Sequence, residues 1–406
     1  LPNDYNQYQP YTGFFTQDAN TAISQDLGQR YVTKSYLLDV YPNIASQLGN
    51  RTSPGLYVWG FNNVGQLGTG DQNNYNNPVK RLSDTNTNYK NVFSASFVIK
   101  TDNTLWVTGF NLNGELGLGD TTNRSSPVQV GSLTNWKLIA RGSLHTASVK
   151  TDGTLWSWAV NTNGQLGLGD TTSRSSPVQV GSLTNWKQVN AGANHTACVK
   201  TDGTLWTWGF NGTYGALGLG DVTGRSSPVQ VGSLTNWKQV VIGDYHTVCV
   251  KTDGTLWSWG NNGSGQLGLE DTTSRSSPVQ VGSLTNWKQV AAAGDFTICV
   301  KTDGTLWSWG NNSLAQLGLQ NTTNRSSPVQ IGLLTNWKQV SCGAAHASCI
   351  KTDGTLWSWG FNSSGQLGLG NTTTRSSPVQ VGTLTNWKQI GIQKSSSPAA
   401  ISDFSL

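Results

Sequence analysis

His195-Thr196-Ala197-Cys198-Val199-Lys200-Thr201-Asp202-Gly203-Thr204-Leu205-Trp206-Thr207-Trp208-Gly209 reads as a strand, a tight turn and a returning strand. His195–Lys200 alternates and carries β-branched residues, which suits a strand. Thr201-Asp202-Gly203-Thr204 supplies turn formers, with Gly203 free to take a positive φ. Leu205–Trp208 returns and stops at Gly209. Outward from this hairpin, an Asn/Gly-rich loop runs to Ser227. Pro228–Val231 is expected as a short third strand, with Pro at its start. After a turn at 232–236, Trp237–Ile242 is expected as a fourth. Four antiparallel strands in about 50 residues, here framed as 195–244, are the content of one propeller blade.

The unit repeats. Lys-Thr-Asp recurs with its Lys at 100, 150, 200, 251, 301 and 351, and the Leu-Gly step after Gln or its substitute occurs seven times, at Leu67, Leu116, Leu166, Leu217, Leu267, Leu317 and Leu367. No stretch shows a 3.6-residue period, and Gly and Pro recur every few residues, so a helical solenoid is excluded. The sequence therefore predicts an all-β fold, a seven-bladed β-propeller of four-stranded antiparallel blades over 55–406, with an N-terminal arm over 1–54. The first repeat starts in mid-blade at Gly55, and Ala399–Leu406 follows the seventh Trp-Lys strand. These two ends are expected to share one blade, closing the ring and removing an open edge. Trp206 and Trp208 are two apart and so share a strand face. The same pair recurs at 156/158, 257/259, 307/309 and 357/359. Large rings so placed are expected to stack between blades as core.

Two motifs carry a family resemblance. Gly-x-x-His-Thr-x-x-Val (192–199 and 243–250) and Leu-Trp-Ser-Trp-Gly-x-Asn-x-x-Gly-Gln-Leu-Gly (256–268) resemble the regulator-of-chromosome-condensation repeat. The likeness spans about 350 of the 406 residues and implies a seven-bladed propeller. It leaves function open, because one fold serves several. Exchange-factor members of the family carry a basic tail, whereas residues 1–54 are not basic. Photoreceptor members carry Trp and Arg just before the repeat's His, where this chain has Ser143-Leu144, Ala193-Asn194, Asp244-Tyr245 and Ala344-Ala345. A protein-inhibiting secreted propeller of the family is compatible with the sequence.

Only 12% of residues are charged, and Asn, Thr, Ser, Gln and 48 Gly supply the remaining polarity. Such a surface is typical of virion or extracellular β-proteins. Of the 26 basic residues, 19 sit at repeated positions. Repetition around a ring is expected to spread them evenly, leaving no focused patch for nucleic acid. No run of about 18 apolar residues is present, so no membrane span is expected. Beginning at Leu1 and lacking Met, the chain reads as processed or incompletely recovered at its N-terminus. Four of the five Cys (198, 249, 299, 349) occupy one repeat position and read as small buried thiols, with Cys342 apart.

No arrangement that carries chemistry is visible. His145, His195, His246 and His346 share one repeat position, with Phe296 in their place in one blade. A metal needs its ligands around one point, whereas these residues lie on separate blades. They read as structural His bonded to blade backbone, with no metal. Loops such as Asn161–Asp170 lack the spaced carboxylates of a calcium loop. Paired carboxylates, a nucleophile elbow and a phosphate loop are missing. The chain is expected to be no enzyme and to need no cofactor.

Strand alternation puts the long loops and the turns before His on one face of the ring. The copies differ there, with apolar residues Phe110, Leu112, Val160, Tyr214, Tyr245, Phe296, Leu314 and Phe361. These are candidate contacts to a protein or glycan. The arm holds a possible short helix at 26–41, stopped by Pro42. Arg30–Pro42 is similar to attachment segments of tailed-phage structural proteins, which makes Tyr31, Tyr36, Leu37, Leu38 and Tyr41 candidate contacts to other structural proteins of a particle. The expected function is a non-enzymatic virion decoration or adhesin component. The alternative is a secreted bacterial propeller that binds or inhibits a protein.

Overall fold

A computed structural model describes residues 55–81, 89–392 and 398–402. The arm, its helix at 26–41 and its candidate contacts Tyr31, Tyr36, Leu37, Leu38 and Tyr41 lie outside the described residues. Seven four-stranded antiparallel sheets form the blades. Blades 1 to 6 are contiguous, at 89–129, 136–179, 186–230, 237–280, 287–330 and 337–380. Blade 7 combines both ends of the propeller, in the spatial order Trp387–Gly391, Ala399–Ser402, Gly55–Gly60, Tyr75–Lys80. Gly55 pairs with Ser402 and Val58 with Ala399. The one helical element among the described residues is a 3-10 turn at Gly212–Tyr214.

The blade frame differs from the one expected. Trp237–Ile242 does not close the blade of His195. It pairs with His246–Lys251 and opens the next sheet. The blade of His195 runs Trp186–Ala191, His195–Lys200, Leu205–Gly209, Arg225–Gln230. Its outermost strand begins at Arg225, three residues before the expected Pro228. The phase is set where the ladder ends: Val231 N still bonds Leu205 O, and Gly232 then takes φ +59° and turns the chain toward the next blade. An unbroken tandem repeat fits every phase equally well, so the sequence leaves this choice open.

The Trp-Lys-Gln strands, rather than the His strands, are therefore innermost. Their glutamines tie neighbours together. Gln239 Nε2 donates to Val290 O at 2.9 Å, and Val290 N donates back to Gln239 Oε1 at 3.2 Å. Gln389 bridges to Val92 in the same way across the ring closure.

Apolar clusters straddle the seams between blades. One joins Ala197, Val199 and Leu205 of blade 3 to Val231 and to Trp237, Val240, Cys249 and Trp259 of blade 4. The two tryptophans expected to act alike divide the work. Trp208 is fully buried and donates to the carbonyl of Gln165 in the preceding blade at 3.0 Å; the Thr196 hydroxyl donates to the same oxygen at 2.9 Å. Equivalent pairs converge on the carbonyls of Glu115, Ala216 and Gln266. Trp206 lies nearer the hairpin turn and is half-buried. Its N–H donates to Thr204 Oγ1 at 2.9 Å, and the Lys200 ammonium sits 3.7 Å above its ring. Blades 2 to 6 thus each carry one interior wedge and one tryptophan sealed by a cation, whereas blade 1 has Thr108 in place of the wedge and blade 7 has Tyr57 in place of the sealed tryptophan.

The repeated His also serves the seams. His145, His195 and His246 Nε2 pair with the Oγ1 of Thr196, Thr247 and Thr297 in the next blade, at 2.9, 3.3 and 3.1 Å. These threonine partners are side chains of the neighbouring blade. Where Phe296 replaces His, Ala347 replaces the threonine, and both lie in one apolar cluster. At the next seam His346 faces a blade whose threonine position is Pro398, and His346 Nε2 has no hydrogen-bond partner among the described residues. All five cysteines are buried and in no disulfide, and burial pushes the thiols of Cys198, Cys249, Cys299 and Cys349 well up.

Candidate interaction surface

The loop between third and fourth strands starts against the turn between first and second strands. Phe210 N bonds Asn194 O at 2.8 Å, and Asn261 N bonds Tyr245 O at 2.9 Å. Both loop sets therefore form one variable face. Each long loop is pinned by an internal latch. In blade 3 the Asn211 amide donates to Asp221 O, Asp221 Oδ1 and Thr223 O, while its Oδ1 accepts from Leu217 N at 2.8 Å. Arg225 closes the latch on Asp221 at 2.6 Å. In the blade 2 latch, the Thr172 amide and Arg174 hold the Asp170 carboxyl below its ordinary range. The carboxylates that could have invited a calcium reading are thus bound to the loop itself. No group of three or more His, Cys, Asp or Glu among the described residues could hold a metal ion.

The apolar candidates on this frame fall into three groups. Phe296 is removed from the surface. It is fully buried at the start of its strand, in the seam cluster with Ala347, because it occupies the inward-pointing His position. Phe110, Leu112, Val160, Leu314 and Phe361 belong to blades 1, 2, 5 and 6 and are scattered around the ring. Leu112 and Leu314 are exposed, and the other three are half-buried.

Tyr214 and Tyr245 come together. Their ring centroids are 6.0 Å apart across the seam between blades 3 and 4. Phe210 completes the cluster, edge-on to Tyr245 at 6.3 Å and 67°. Phe210 also lines an open groove of about 440 Å3 between blades 2 and 3, with Thr162, Asn163, Thr171, Val222 and Arg225. The surface therefore offers three aromatic rings beside a groove with hydroxyl and amide groups. Arg225 faces that groove already paired to Asp221.

Sequence reasoning missed Phe210 and Val222, although signals existed. Phe210 holds the same repeat position as Phe110, Val160 and Phe361. The Lys200-to-Lys251 spacing is one residue longer than the others, and this marks the loop that carries the 3-10 turn and Tyr214.

Residues 57–398 match the model of the RCC1-like domain. The chain belongs to the RCC1-like domain family. Yeast RCC1 (Prp20), solved with Kap60, superposes on this RCC1-like propeller with a TM-score of 0.77 at 18% identity, over 87% of this chain and 90% of that one. Human WBSCR16 superposes with a TM-score of 0.73 at 20% identity, over 87% of this chain and 100% of that one. These likenesses establish the fold alone. No curated protein matches the chain. An RCC1-like propeller with a clustered aromatic surface fits a protein-binding or regulatory role.

Proposed function

We propose that this RCC1-like propeller is a non-enzymatic binding protein displayed on a particle or cell exterior, engaging a protein or glycan through its variable face. The observation that carries this reading is the Phe210–Tyr214–Tyr245 cluster beside the groove between blades 2 and 3. Aromatic rings supply large contact area at low conformational cost, and the neighbouring Thr and Asn groups can fix the orientation of a peptide or sugar. Protein binding has a parallel in the similarly folded Prp20p from Saccharomyces cerevisiae, studied for its binding to Gsp1p and histones. Its TM-score is 0.75 at 18% identity, over 87% of this chain and 92% of that one.

The particle is proposed to be a virion. Support comes from the low charge of the surface and from the resemblance of Arg30–Pro42 to phage attachment segments. In this reading residues 1–54 dock to the particle and the propeller is presented outward. Proteomics of purified particles, paired with deletion of residues 1–54, tests it. The deletion should abolish incorporation while leaving the propeller folded. Full incorporation without the arm would overturn the attachment role, and a truncated protein that still bound its target in solution would favour the secreted binder.

A further inference from the structure

The face opposite the variable loops carries a second pattern. On each innermost strand the residue after the leading aromatic is a lysine: Lys90, Lys137, Lys187, Lys238, Lys288, Lys338 and Lys388. All seven are exposed. The cause is a repeated backbone irregularity. In blade 3, Trp186 pairs with Lys200 and Gln188 with Val199, so Lys187 is left over in a bulge; the same register shift recurs at this position in every blade. A bulge turns its extra residue out of the ladder. Here it takes each lysine out of the seam packing and into solvent.

Because each follows the leading aromatic of an innermost strand, the seven lysines form a ring at one repeat position on this face. Lys137, Lys187, Lys238, Lys288 and Lys338 have no ion pair among the described residues. The nearby hairpin aspartates are occupied: Asp202 Oδ1 accepts from both the Thr204 amide and its hydroxyl.

Outside this ring, the connectors between blades expose leucines at a repeated position. Leu133, Leu183, Leu234, Leu284 and Leu334 are 44–48% exposed, and Leu333 is 91% exposed. The turns beneath them are rigid. A Cβ on Gly203 would lie 2.0 Å from Thr235 O, so hairpin and connector touch at the backbone. A ring of exposed like charges on one face raises the local potential and favours an anionic partner. The surrounding leucines add apolar area that a phosphate polymer could not use.

We propose that this face is a second docking site, for an acidic segment of a partner protein whose carboxylates sit over the lysine ring and whose apolar side chains cover the leucines. The site lies on the opposite face from the aromatic cluster, so either can fail without the other.

The test uses the full chain and three probes: a synthetic peptide of alternating Glu and Leu, poly-L-glutamate, and inorganic polyphosphate. Two surface variants are compared, one with Lys187, Lys238, Lys288 and Lys338 changed to Gln, the other with Leu183, Leu234, Leu284 and Leu334 changed to Ser. Melting curves confirm that both fold. The expected result is that the Glu/Leu peptide binds most tightly and loses at least tenfold in affinity in each variant. Tighter binding of polyphosphate that is indifferent to the leucine changes would overturn the proposal in favour of a polyanion site. No binding of the Glu/Leu peptide at low salt would overturn it outright.

Discussion

The indole N–H of Trp59 donates to the carbonyl of Gln366 at 3.0 Å, joining residues 307 apart in sequence. Trp208 makes the same bond to Gln165 between adjacent repeats. The ring is therefore closed by the same seam chemistry that holds its interior blades, although blade 7 is assembled from both ends of the propeller. Deleting residues 398–406 would strip Ala399–Ser402 from the middle of that blade and expose the edges of Trp387–Gly391 and Gly55–Gly60. The expected outcome is a lower melting temperature and self-association by size-exclusion chromatography. An unchanged monomer with an unchanged melt would show that the ring does not depend on this pairing.

His346 makes stability depend on pH. Burial lowers its pKa from 6.5 to about 4, so the folded state holds the ring neutral. The unfolded chain binds a proton below about 6.5 that the folded chain refuses. The contribution of this residue is thus complete above pH 6.5 and falls away as pH drops toward 4, by about 3 kcal/mol in total. His346→Phe should flatten that part of the pH–stability curve. Phe already occupies this position at 296, where Ala347 stands across the seam, as Pro398 does here, with no hydroxyl to pair. Denaturant titrations of both proteins at pH 7 and pH 4.5 give the comparison, and equal pH dependence would refute the assignment.

Phe296 and Tyr245 belong to neighbouring repeats but are expected to respond oppositely to alanine. Phe296→Ala opens a cavity in a fully buried seam and should cost about 3–5 kcal/mol. Tyr214→Ala and Tyr245→Ala remove partly exposed rings and should change stability by about 1 kcal/mol or less. The same two changes should abolish partner binding at the variable face. Retained binding would remove the aromatic cluster from the proposed function.

Ala159 occupies a position where the other blades have Gly60, Gly109, Gly209, Gly260, Gly310 and Gly360, all with φ between +96° and +102°. Its own φ is +82°, a left-handed conformation that costs a residue with a Cβ about 1–2 kcal/mol. Ala159→Gly relieves this strain and gives up a buried methyl worth about 0.8 kcal/mol. The net expectation is a gain of up to about 1 kcal/mol, read by chemical denaturation. A clear loss of stability would mean that the methyl's packing outweighs the strain.

Blade number and strand content were legible because the repeated elements keep fixed spacing: Gln-Leu-Gly, Lys-Thr-Asp and the paired tryptophans each mark one unit. The blade frame was not legible, because moving it by one strand leaves every local pattern intact. Only the ladder break at Gly232 decides it. Phe296 was misread for a related reason. It looks like a loop variant beside Asp295, yet it stands at the His position, whose side chain enters the seam. The lysine ring was visible as a list of residues, but its place depends on knowing that the Trp-Lys-Gln strand is innermost. That in turn depends on the frame.

The facing residues Phe296 and Ala347, and elsewhere His with Thr, behave as lock and key across two blades. A blade transplanted whole from one ring position to another would carry half of each of two mismatched pairs. The unit that can be exchanged, duplicated or designed without penalty therefore runs from the middle of one blade to the middle of the next. Diversification of such a ring is constrained to proceed joint by joint.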